Sequence, residues 1–496
     1  MDYRKLQNGS DIRGIALPGI PGQEVNITKE AAEAIGRGFV LWLQKRLQKD
    51  ALRIAVGRDS RLSGPALLDH IADAMVKEGA LVTDLGMTST PAMFMATITE
   101  GYAYDGTVMI TASHLPFNRN GFKFFTRDGG AESSDIKEIL ELACSDAHTG
   151  LPEGSRTTGE FMTAYSRILA DQIRTATGLS KPLEGLHIVV DAGNGAGGFF
   201  VHGVLEPLGA DTEGSRFLDP DGSFPNHIPN PEDADAMKSI TEAVLENHAD
   251  LGVIFDTDVD RAGAVLPDGR ELNRNKLIAM FAAILLREHP GTTIVTDSVT
   301  STGLAEFIRA HGGIHHRFKR GYRNVINESI RLNEEGTDSQ LAMETSGHGA
   351  MKENYFLDDG AYLMTRLLIE MARAKKEGYT LESLVADLKE PAEEKEVRMN
   401  ILCEDFKAYG SAVLESLKEY AETQPHWQPA PDNFEGFRVS LKDGWFLLRM
   451  SLHDPLMPLN IESDVPGGVR IIAEEIYAFL KTCDKLDLKG FDFLKA

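Results

Sequence analysis

The chain contains 496 residues, of which 42% are apolar and 25% charged, a composition typical of a globular protein and unlike a disordered or collagenous one. Its net charge of −24 disfavours nucleic acid and anionic membrane surfaces as partners. Three widely spaced cysteines predict reduced thiols and a cytoplasmic location, and we expect no export signal at the N-terminus. The longest uncharged apolar stretch, residues 277–286, is shorter than the roughly 20 residues that a membrane span needs.

Short β-branched runs alternate with amphipathic helical stretches along most of the chain. A strand–helix–strand pattern is predicted over residues 52–85, 186–255 and 292–318, with a helix expected at residues 195–208. Such alternation is typical of α/β layers built on parallel or mixed sheets. The length suffices for about three or four domains, and the three similar units indicate an internally repeated α/β module.

Polar or charged stretches predict where these units end. Residues 145–156, 266–270 and 389–398 have the proline, glycine or charge content of linkers. Beyond the last of them, a helix is predicted over residues 406–423, followed by a proline-rich turn and two strands. The C-terminal part therefore differs in pattern from the three units before it.

The first motif that carries chemistry lies at residues 111–116, Thr-Ala-Ser-His-Leu-Pro, directly after a predicted strand. The strand delivers Ser113 to a turn, where its hydroxyl can be exposed rather than buried. His114 and Lys123 are candidate proton carriers or phosphate contacts near it. An ordinary helix-capping serine beside a turn is the alternative interpretation of this segment.

Three aspartates, Asp256, Asp258 and Asp260, follow the strand predicted at residues 251–255. Alternation in an extended loop would place their carboxylates on one side, where clustered anions repel each other unless a hard cation binds between them. Oxygen ligands of this kind suit Mg²⁺. An EF-hand is excluded: counting from Asp256, its sixth position is Arg261 instead of glycine, and its twelfth is Pro267 instead of glutamate. A solvated acidic turn is the remaining alternative.

Residues 193–198 match the pattern G-x-G-x-x-G after a strand, and Asp211 lies about where a dinucleotide-binding protein has its ribose contact. The rest of the chain offers no second nucleotide-binding half. We therefore interpret these glycines as a tight strand-to-helix turn.

A polar loop at residues 343–348 is a candidate for binding a hydroxylated ligand. Glu344 and Ser346 stand two residues apart and form a forked hydrogen-bonding unit suited to vicinal sugar hydroxyls. His348 is a candidate general base or phosphate contact. The alternative is a polar loop with a satisfied histidine.

A second polar loop follows a predicted strand near the C-terminus. Arg449, Ser451 and His453 converge there on a turn, and an arginine, a hydroxyl and an imidazole together can cradle a phosphate. The alternative is an arginine at a strand end that simply faces water. His311, His315 and His316 lack paired cysteines, so we expect no zinc site among them.

Taken together and in this order, these motifs resemble those of the α-D-phosphohexomutase family, the phosphoglucomutase and phosphomannomutase group. Residues 9–14, 57–61 and 224–231 also resemble family segments, so the resemblance covers nearly the whole chain. It implies four domains around a central cleft: three related α/β domains with mixed sheets and a C-terminal α+β domain. We assign these domains to residues 1–155 (phosphoserine loop), 156–270 (metal-binding loop), 271–392 (sugar-binding loop) and 393–496 (phosphate-binding loop).

The resemblance also implies an enzyme, an intramolecular phosphotransferase that interconverts hexose 1-phosphate and hexose 6-phosphate through a phosphoserine at Ser113 and a bisphosphate intermediate. Ser113 and the three aspartates would bind Mg²⁺ as the cofactor. The residues expected around the transferring phosphoryl group are Arg13, Lys123, Arg261 and His348, joined by His114. The residues expected to bind the sugar phosphate are Lys319, Arg320, Gly321, Glu344, Ser346, Arg449, Ser451 and His453. A small-molecule sugar phosphate is the expected partner of a monomer or homodimer.

One segment departs from the family pattern. Leu452, His453 and Asp454 replace the usual residues of the phosphate-binding loop, and Pro458 stands near where a second arginine is expected. In one interpretation, a protonated His453 replaces the arginine as a hydrogen-bond donor to phosphate, which predicts binding that depends on pH near its pKa of about 6.5. Weaker phosphate affinity or a different substrate are the alternative interpretations of this departure. Glucose or mannose phosphate is the expected substrate. A phosphoglucosamine mutase, a non-catalytic sugar-phosphate-binding homologue and a phosphatase that uses the same metal site are the alternatives.

Overall fold

The computed structural model describes residues 2–451 and 454–495. Three sheets with α/β connections and a C-terminal sheet with its own helices confirm the predicted fold class of three α/β domains followed by a different fourth domain. Within the described residues, no helix combines the length and the apolar character that crossing a bilayer requires.

The chain divides into two compact units. The first unit contains residues 1–273 and 346–383, and the second contains residues 274–345 and 384–496. The stretch predicted as a third domain, residues 271–392, therefore contributes to both units.

The first α/β domain is built on an eight-stranded sheet. Its strands are β1 (Gln7–Asn8), β2 (Asp11–Ile15), β3 (Arg53–Arg58), β4 (Leu81–Met87), β5 (Gly106–Ile110), β6 (Arg119–Thr126), β7 (Gly129–Gly130) and β8 (Ser155–Thr158), and its helices are α1 (Lys29–Leu47), α2 (Gly64–Lys77), α3 (Thr90–Ile98) and α4 (Ser133–Ala143). The strand order is β1-β2-β6-β5-β3-β4-β8, with β7 paired to β6. β3 runs parallel to β4 and β5, whereas β6 is antiparallel to β5 and β2. β5 is buried along its length, as expected of an apolar strand in the middle of a covered sheet.

β8 belongs to the first sheet, which therefore extends three residues past the predicted domain boundary after residue 155. Its residues are polar and mostly exposed, yet they pair in parallel with β4, from Leu81↔Ser155 to Asp84↔Thr158. An edge strand this short and polar has no side-chain pattern that distinguishes it from a linker, so only its backbone pairing reveals where the domain ends.

The second α/β domain has a four-stranded sheet. Its elements are α5 (Met162–Thr177), β9 (Ile188–Asp191), α6 (Ala234–Asn247), β10 (Leu251–Phe255), β11 (Ala262–Val265) and β12 (Glu271–Leu272). The order is β12-β11-β10-β9, with β10 parallel to β9 and antiparallel to β11. β12 extends this sheet two residues past the predicted boundary after residue 270.

The helix predicted at residues 195–208 does not form as an α-helix. A glycine-rich turn occupies residues 192–198, followed by a short π-helix, Val201–Leu205, and a 3-10 turn, Glu206–Leu208. Glycines at 195, 197 and 198 disfavour helix, and two of them lie against neighbouring backbone where a side chain would not fit.

The second unit contains the third sheet. Its elements are α7 (Arg274–Glu288), β13 (Thr293–Thr296), α8 (Thr302–Ala310), β14 (Ile314–Arg317), α9 (Tyr322–Glu334) and β15 (Ser339–Met343). β13 pairs in parallel with both β14 and β15. The next two elements, β16 (Gly349–Met351) and α10 (Gly360–Glu377), belong to the first unit, where α10 packs against α5 and β11.

The C-terminal domain is a five-stranded antiparallel sheet with two helices. Its elements are β17 (Glu393–Asn400), α11 (Phe406–Glu422), β18 (Gln428–Pro429), β19 (Phe437–Leu441), β20 (Gly444–Leu448), β21 (Leu456–Ser463) and α12 (Gly468–Leu480). The strand order is β17-β21-β20-β19-β18. Apolar side chains of both helices and of the sheet form a separate core that includes Leu417, Phe446 and Ile476. Short 3-10 helices lie at Tyr3–Leu6, Lys352–Asn354, Leu381–Val385 and Leu488–Leu494.

Candidate active site

Ser113 lies in a sharp turn just past the carboxyl end of β5. Its φ of +52° is in the left-handed region, which is uncommon for a residue with a side chain. The Thr111 hydroxyl stabilises the turn by accepting a hydrogen bond from Ser113 N at 2.9 Å. Ser113 Oγ lies 3.1 Å from Oδ2 of Asp256 and 3.2 Å from Nη2 of Arg261. A buried hydroxyl on strained backbone, beside an acid and a guanidinium, is typical of a functional site.

One completely buried side chain, Arg61, holds the backbone of the serine loop. Its Nη1 donates to the carbonyl oxygens of Pro116 at 2.9 Å and Arg119 at 3.0 Å. Its Nη2 donates to those of Ser113 and Leu115, both at 2.5 Å. The loop that presents the serine is therefore fixed at four carbonyl groups by one guanidinium.

The three aspartates lie in the loop between β10 and β11, and a carboxylate oxygen of each lies within 4.8 Å of those of the others. All three are buried. The predicted extended loop is wrong: Val259 has a φ of +67°, and its N–H donates to Asp256 O at 3.3 Å, so the chain turns back on itself. Arg261 N closes the turn by donating to Oδ1 of Asp256 at 3.1 Å. The carboxylates of Asp258 and Asp260 thus meet that of Asp256 because the loop coils, not because side chains alternate.

Two glycines let neighbouring segments reach the backbone of this acidic loop. Ala196 N donates to Thr257 O at 2.8 Å, and a Cβ on Gly195 would lie 2.7 Å from the same oxygen. A Cβ on Gly360 would lie 2.6 Å from the carbonyl carbon of Arg261. Close approach of this kind requires glycine. The glycine-rich turn therefore supports the acidic loop.

Two cations offset the charge of the acids. Lys123 Nζ, from β6, lies 2.5 Å from Oδ2 of Asp260 and 3.2 Å from Oδ2 of Asp258. Arg261 Nη2 lies 3.2 Å from Oδ2 of Asp256. Burial and the neighbouring acids Asp260 and Asp258 raise the pKa of Asp256 well above its usual value. For Asp260, burial is the largest single influence and acts to raise the pKa, but the charges of Lys123, His348 and Arg261 together hold the pKa below its usual value.

His114 accepts a hydrogen bond at Nδ1 and is neutral. Its Nδ1 lies 2.6 Å from Nη2 of Arg261 and 3.2 Å from Ser113 Oγ. Because a guanidinium can only donate, Nδ1 is unprotonated, and burial together with the charge of Arg261 lowers the pKa of His114 to about 2. His114 is therefore poorly suited to the predicted role of proton carrier. Arg13, on β2, donates to Oδ2 of Asp11 at 2.7 Å, and its charge also contributes to the lowered pKa of His114.

His348 lies beside the acidic loop. Its backbone forms a bridge with Arg261, and its Nδ1 is 3.9 Å from Oδ1 of Asp260. Nδ1 is also 2.5 Å from Oδ2 of Asp358, whose other oxygen accepts a hydrogen bond from Gly349 N at 3.0 Å. Although burial opposes it, the charges of Asp358 and Asp260 raise the pKa of His348 to about 9. The imidazole is therefore cationic at neutral pH and suited to contact a phosphate.

The acidic loop has the properties of a site for a divalent metal ion. Three buried carboxylates supply the oxygen donors that hard cations prefer. Within the described part of the chain, Oδ1 of Asp258 and Oδ1 of Asp260 are buried and accept no hydrogen bond. Ser113 Oγ, 3.1 Å from Asp256, is a fourth candidate ligand. The donor set therefore fits such an ion.

In the second unit, the structure brings two of the predicted sugar-binding segments together. Gly321, between β14 and α9, has a φ of +111°, and its N–H donates to Oε1 of Glu344 at 2.6 Å. Next to it, Lys319 is exposed and Arg320 is half-buried. Ser346, the predicted partner of Glu344 in a hydrogen-bonding fork, is buried and belongs to the first unit.

The arginine loop follows β20 in the same unit. Arg449 is largely buried, and its Nη1 lies 3.8 Å from Oε1 of Glu435. Burial lowers the pKa of Arg449, and the charge of Arg320 adds to this effect, although the charge of Glu435 opposes it. Ser451 is half-buried in the loop, and His453 lies outside the described residues.

Sequence reasoning missed five polar residues that hold the predicted ones in place: Arg61, Thr90, Asn230, Asp358 and Glu435. Thr90 Oγ1, at the start of α3, donates to Oδ2 of Asp258 at 2.5 Å. Asn230 Oδ1 accepts a hydrogen bond from Nη1 of Arg261 at 3.0 Å. Arg61 and Asn230 lie in segments whose resemblance to the family was the available signal. Thr90 and Glu435 stand in ordinary polar contexts, and only the fold identifies their partners.

Comparison with known proteins agrees with this arrangement. Family profiles described as phosphoglucomutase/phosphomannomutase alpha/beta/alpha domains I, II and III match residues 4–148, 164–269 and 273–391. The chain is 31% identical over 481 residues to a phosphoglucomutase of Neisseria gonorrhoeae, covering 97% of each chain. It is 30% identical over 488 residues to a phosphomannomutase/phosphoglucomutase of Pseudomonas aeruginosa, covering 97% of this chain and 96% of that one.

A solved structure has the same fold. The crystal structure of a phosphoglucomutase/phosphomannomutase family protein from Burkholderia thailandensis superposes with a TM-score of 0.81 at 27% identity, covering 97% of this chain and 98% of that one. Three family profiles match most of the chain, and relatives at 30–31% identity match nearly its full length. The chain belongs to the phosphoglucomutase/phosphomannomutase family, the α-D-phosphohexomutases.

Proposed function

We propose that this chain is an intramolecular phosphotransferase that interconverts hexose 1-phosphate and hexose 6-phosphate, with glucose and mannose phosphates as substrates. The reaction proceeds through a phosphoserine at Ser113 and a bisphosphate intermediate. The observation that carries the proposal is the position of Ser113 Oγ, 3.1 Å from Asp256 and 3.2 Å from Arg261, on a turn of strained backbone. The curated relatives, which are named for glucose and mannose phosphates, support the choice of substrates.

In the first half of the reaction, the phosphoryl group moves from Ser113 to the free hydroxyl of the bound sugar phosphate. The bond between phosphorus and the serine oxygen breaks while a bond from phosphorus to the sugar oxygen forms. The proton of the sugar hydroxyl replaces the phosphoryl group on Oγ, so that charge and atoms balance. After the bisphosphate turns end for end, the reverse step returns its other phosphate to Ser113.

The residues around Ser113 supply positive charge to the transferring group. Arg261 and the cationic His348 are suited to contact phosphoryl oxygens, and Lys123 is placed to neutralise the acids beside them. Asp256, Asp258, Asp260 and Ser113 would hold Mg²⁺, which when bound neutralises phosphoryl charge. Burial of these groups limits the access of water, which favours transfer to the sugar over hydrolysis.

In the second unit, further predicted residues are candidates for binding a sugar phosphate. Glu344 and the loop at residues 319–321 are suited to sugar hydroxyls, and Arg449 to the phosphate that is not being transferred. The acidic chain with its three scattered cysteines supports a cytoplasmic location. A monomer or homodimer is the proposed assembly.

Replacement of Ser113 by alanine tests the proposal. We expect Ser113→Ala to abolish conversion of glucose 1-phosphate to glucose 6-phosphate with its melting temperature preserved, whereas Ser134→Ala, an exposed serine in α4, keeps full activity. Unchanged turnover in Ser113→Ala would refute the proposal. Release of inorganic phosphate by the wild type without isomer exchange would indicate a phosphatase instead. Assays of the wild type with the 1-phosphates of glucose, mannose and glucosamine then rank the substrates.

A further inference from the structure

Glu435 joins the loops that the proposed function assigns to the sugar phosphate. Its Oε2 accepts hydrogen bonds from Ser298 Oγ at 2.6 Å and from Arg320 N at 2.9 Å. Its Oε1 lies 3.8 Å from Nη1 of Arg449. One carboxylate therefore connects the loop after β13, the loop before α9 and the arginine after β20.

The backbone around Glu435 fixes this position. Gly436 has a φ of +62°, and a Cβ there would lie 2.2 Å from Leu448 O and 2.7 Å from Cβ of Arg449. The segment that carries Glu435 therefore lies directly against the arginine loop, where only glycine fits. On its other side, the buried Arg438 donates to two carbonyl oxygens in the loop after β13, both at 3.0 Å. The carboxylate is consequently held next to Arg449 from both sides.

A phosphate that binds Arg449 meets the charge of this carboxylate. Arg449 is largely buried, and a second acid, Glu396, lies 3.9 Å from its Nη2. Charges in such surroundings are screened less than charges in water, so the repulsion between Glu435 and a dianionic phosphate is strong.

We propose that Glu435 determines how tightly the arginine loop retains phosphate: its carboxylate competes with phosphoryl oxygens for Arg449 and keeps the affinity low. This inference rests on the proposed function. A bisphosphate intermediate must release the phosphate held by the arginine loop once in every turnover, or it cannot turn end for end. A site with an internal competing carboxylate releases that phosphate, whereas a purely cationic site would trap the intermediate.

Glu435→Gln tests the competition, because glutamine keeps the shape and the hydrogen-bond acceptor but removes the charge. We expect the variant to bind inorganic phosphate about tenfold more tightly than the wild type in a calorimetric titration at constant ionic strength. Glu474→Gln is the matched control, since Glu474 is exposed on α12 and forms an i,i+4 ion pair with Arg470, and it should leave phosphate binding unchanged. Arg449→Ala introduced into Glu435→Gln should remove the gain.

The kinetics give a second readout, which a purely structural role would not produce. With glucose 1-phosphate as substrate, Glu435→Gln should lower KM and kcat together, because the phosphate is bound more tightly and released more slowly. Phosphate binding that is unchanged or weaker in both Glu435→Gln and Glu435→Ala, at normal melting temperature, would overturn the proposal, as would a gain that persists without Arg449. The phosphate titration needs no turnover. Absence of mutase activity in the wild type would therefore refute the proposed function alone, while tighter binding in the variant would still support the role of Glu435.

Discussion

Replacing Arg61 by lysine tests whether one buried guanidinium holds the serine loop in its working conformation. Arg61 donates four hydrogen bonds to backbone carbonyls, at distances from 2.5 to 3.0 Å. Lysine keeps the positive charge but has its donors at a single point, so it cannot span all four carbonyl groups, and at least two of the bonds are lost. A hydrogen bond to a charged group contributes about 1.5–3 kcal/mol, so the loop conformation loses about 3–6 kcal/mol.

Because transfer requires Ser113 in this conformation, the lower end of that range corresponds to a fall in kcat of about 100-fold. The rate is measured with glucose 1-phosphate in a coupled assay for glucose 6-phosphate, with saturating bisphosphate and Mg²⁺. Arg58→Lys is the matched control in the same segment, because among the described residues Arg58 donates one such bond, from Nη1 to Asp59 O at 3.0 Å. We expect the control to remain within about threefold of the wild type.

An Arg61→Lys chain that melts normally and turns over within threefold of the wild type would refute this reasoning. Equal losses in the two lysine variants would assign the effect to the segment as a whole. A chemical rescue sharpens the test: guanidinium ion should restore part of the rate of Arg61→Ala, since it can occupy the space of the missing side chain and donate to the same carbonyls. Sodium ion at the same ionic strength should not.

Two further substitutions test the charges of the first unit. Lys123→Met removes an ammonium group that competes with a metal ion for the carboxylates of Asp258 and Asp260. We therefore expect Mg²⁺ to raise the melting temperature of the variant by more than that of the wild type, while kcat falls at least about 100-fold. Equal thermal shifts in the two proteins would contradict this expectation. His227 Nε2 lies 3.0 Å from Oδ1 of Asp191, and although burial opposes it, the hydrogen bond to Asp191 raises the pKa of His227. Stability from a raised pKa is fully present below the unfolded value of about 6.5 and is lost as pH rises through the folded value. The urea midpoint of the wild type should therefore be lower at about pH 9 than at about pH 5.5, and His227→Gln should make this difference smaller. A difference as large as that of the wild type would show that the pair does not titrate in this range.

Much of the α/β fold could be predicted because apolar runs and turn residues mark its buried strands. The strand predicted at residues 251–255 coincides with β10, since a strand buried on both faces must be apolar along its whole length. The same logic fails for β8, whose exposed edge position imposes no side-chain pattern. It also fails for the acidic loop, where the φ of Val259 at +67° replaces the expected extended conformation.

The predicted site residues of the first unit could be named from motifs and from the family resemblance, but their partners could not. Ser113 and Asp256 are far apart in sequence and meet only because two different sheets place their loops together. The carbonyl groups that Arg61 binds are backbone atoms, which carry no residue signature. The pKa of His114 depends on burial beside Arg261, so its poor suitability as a proton carrier was invisible in the sequence.

The most direct test of the central claim locates the phosphoryl group itself. The chain is incubated with a hexose 1,6-bisphosphate and Mg²⁺, digested, and its peptides are mapped by mass spectrometry, before and after a chase with the hexose 1-phosphate. We predict one phosphoryl group on Ser113 that disappears in the chase and is recovered in the sugar. A phosphoryl group on another residue, or one on Ser113 that the sugar phosphate does not remove, would contradict the account.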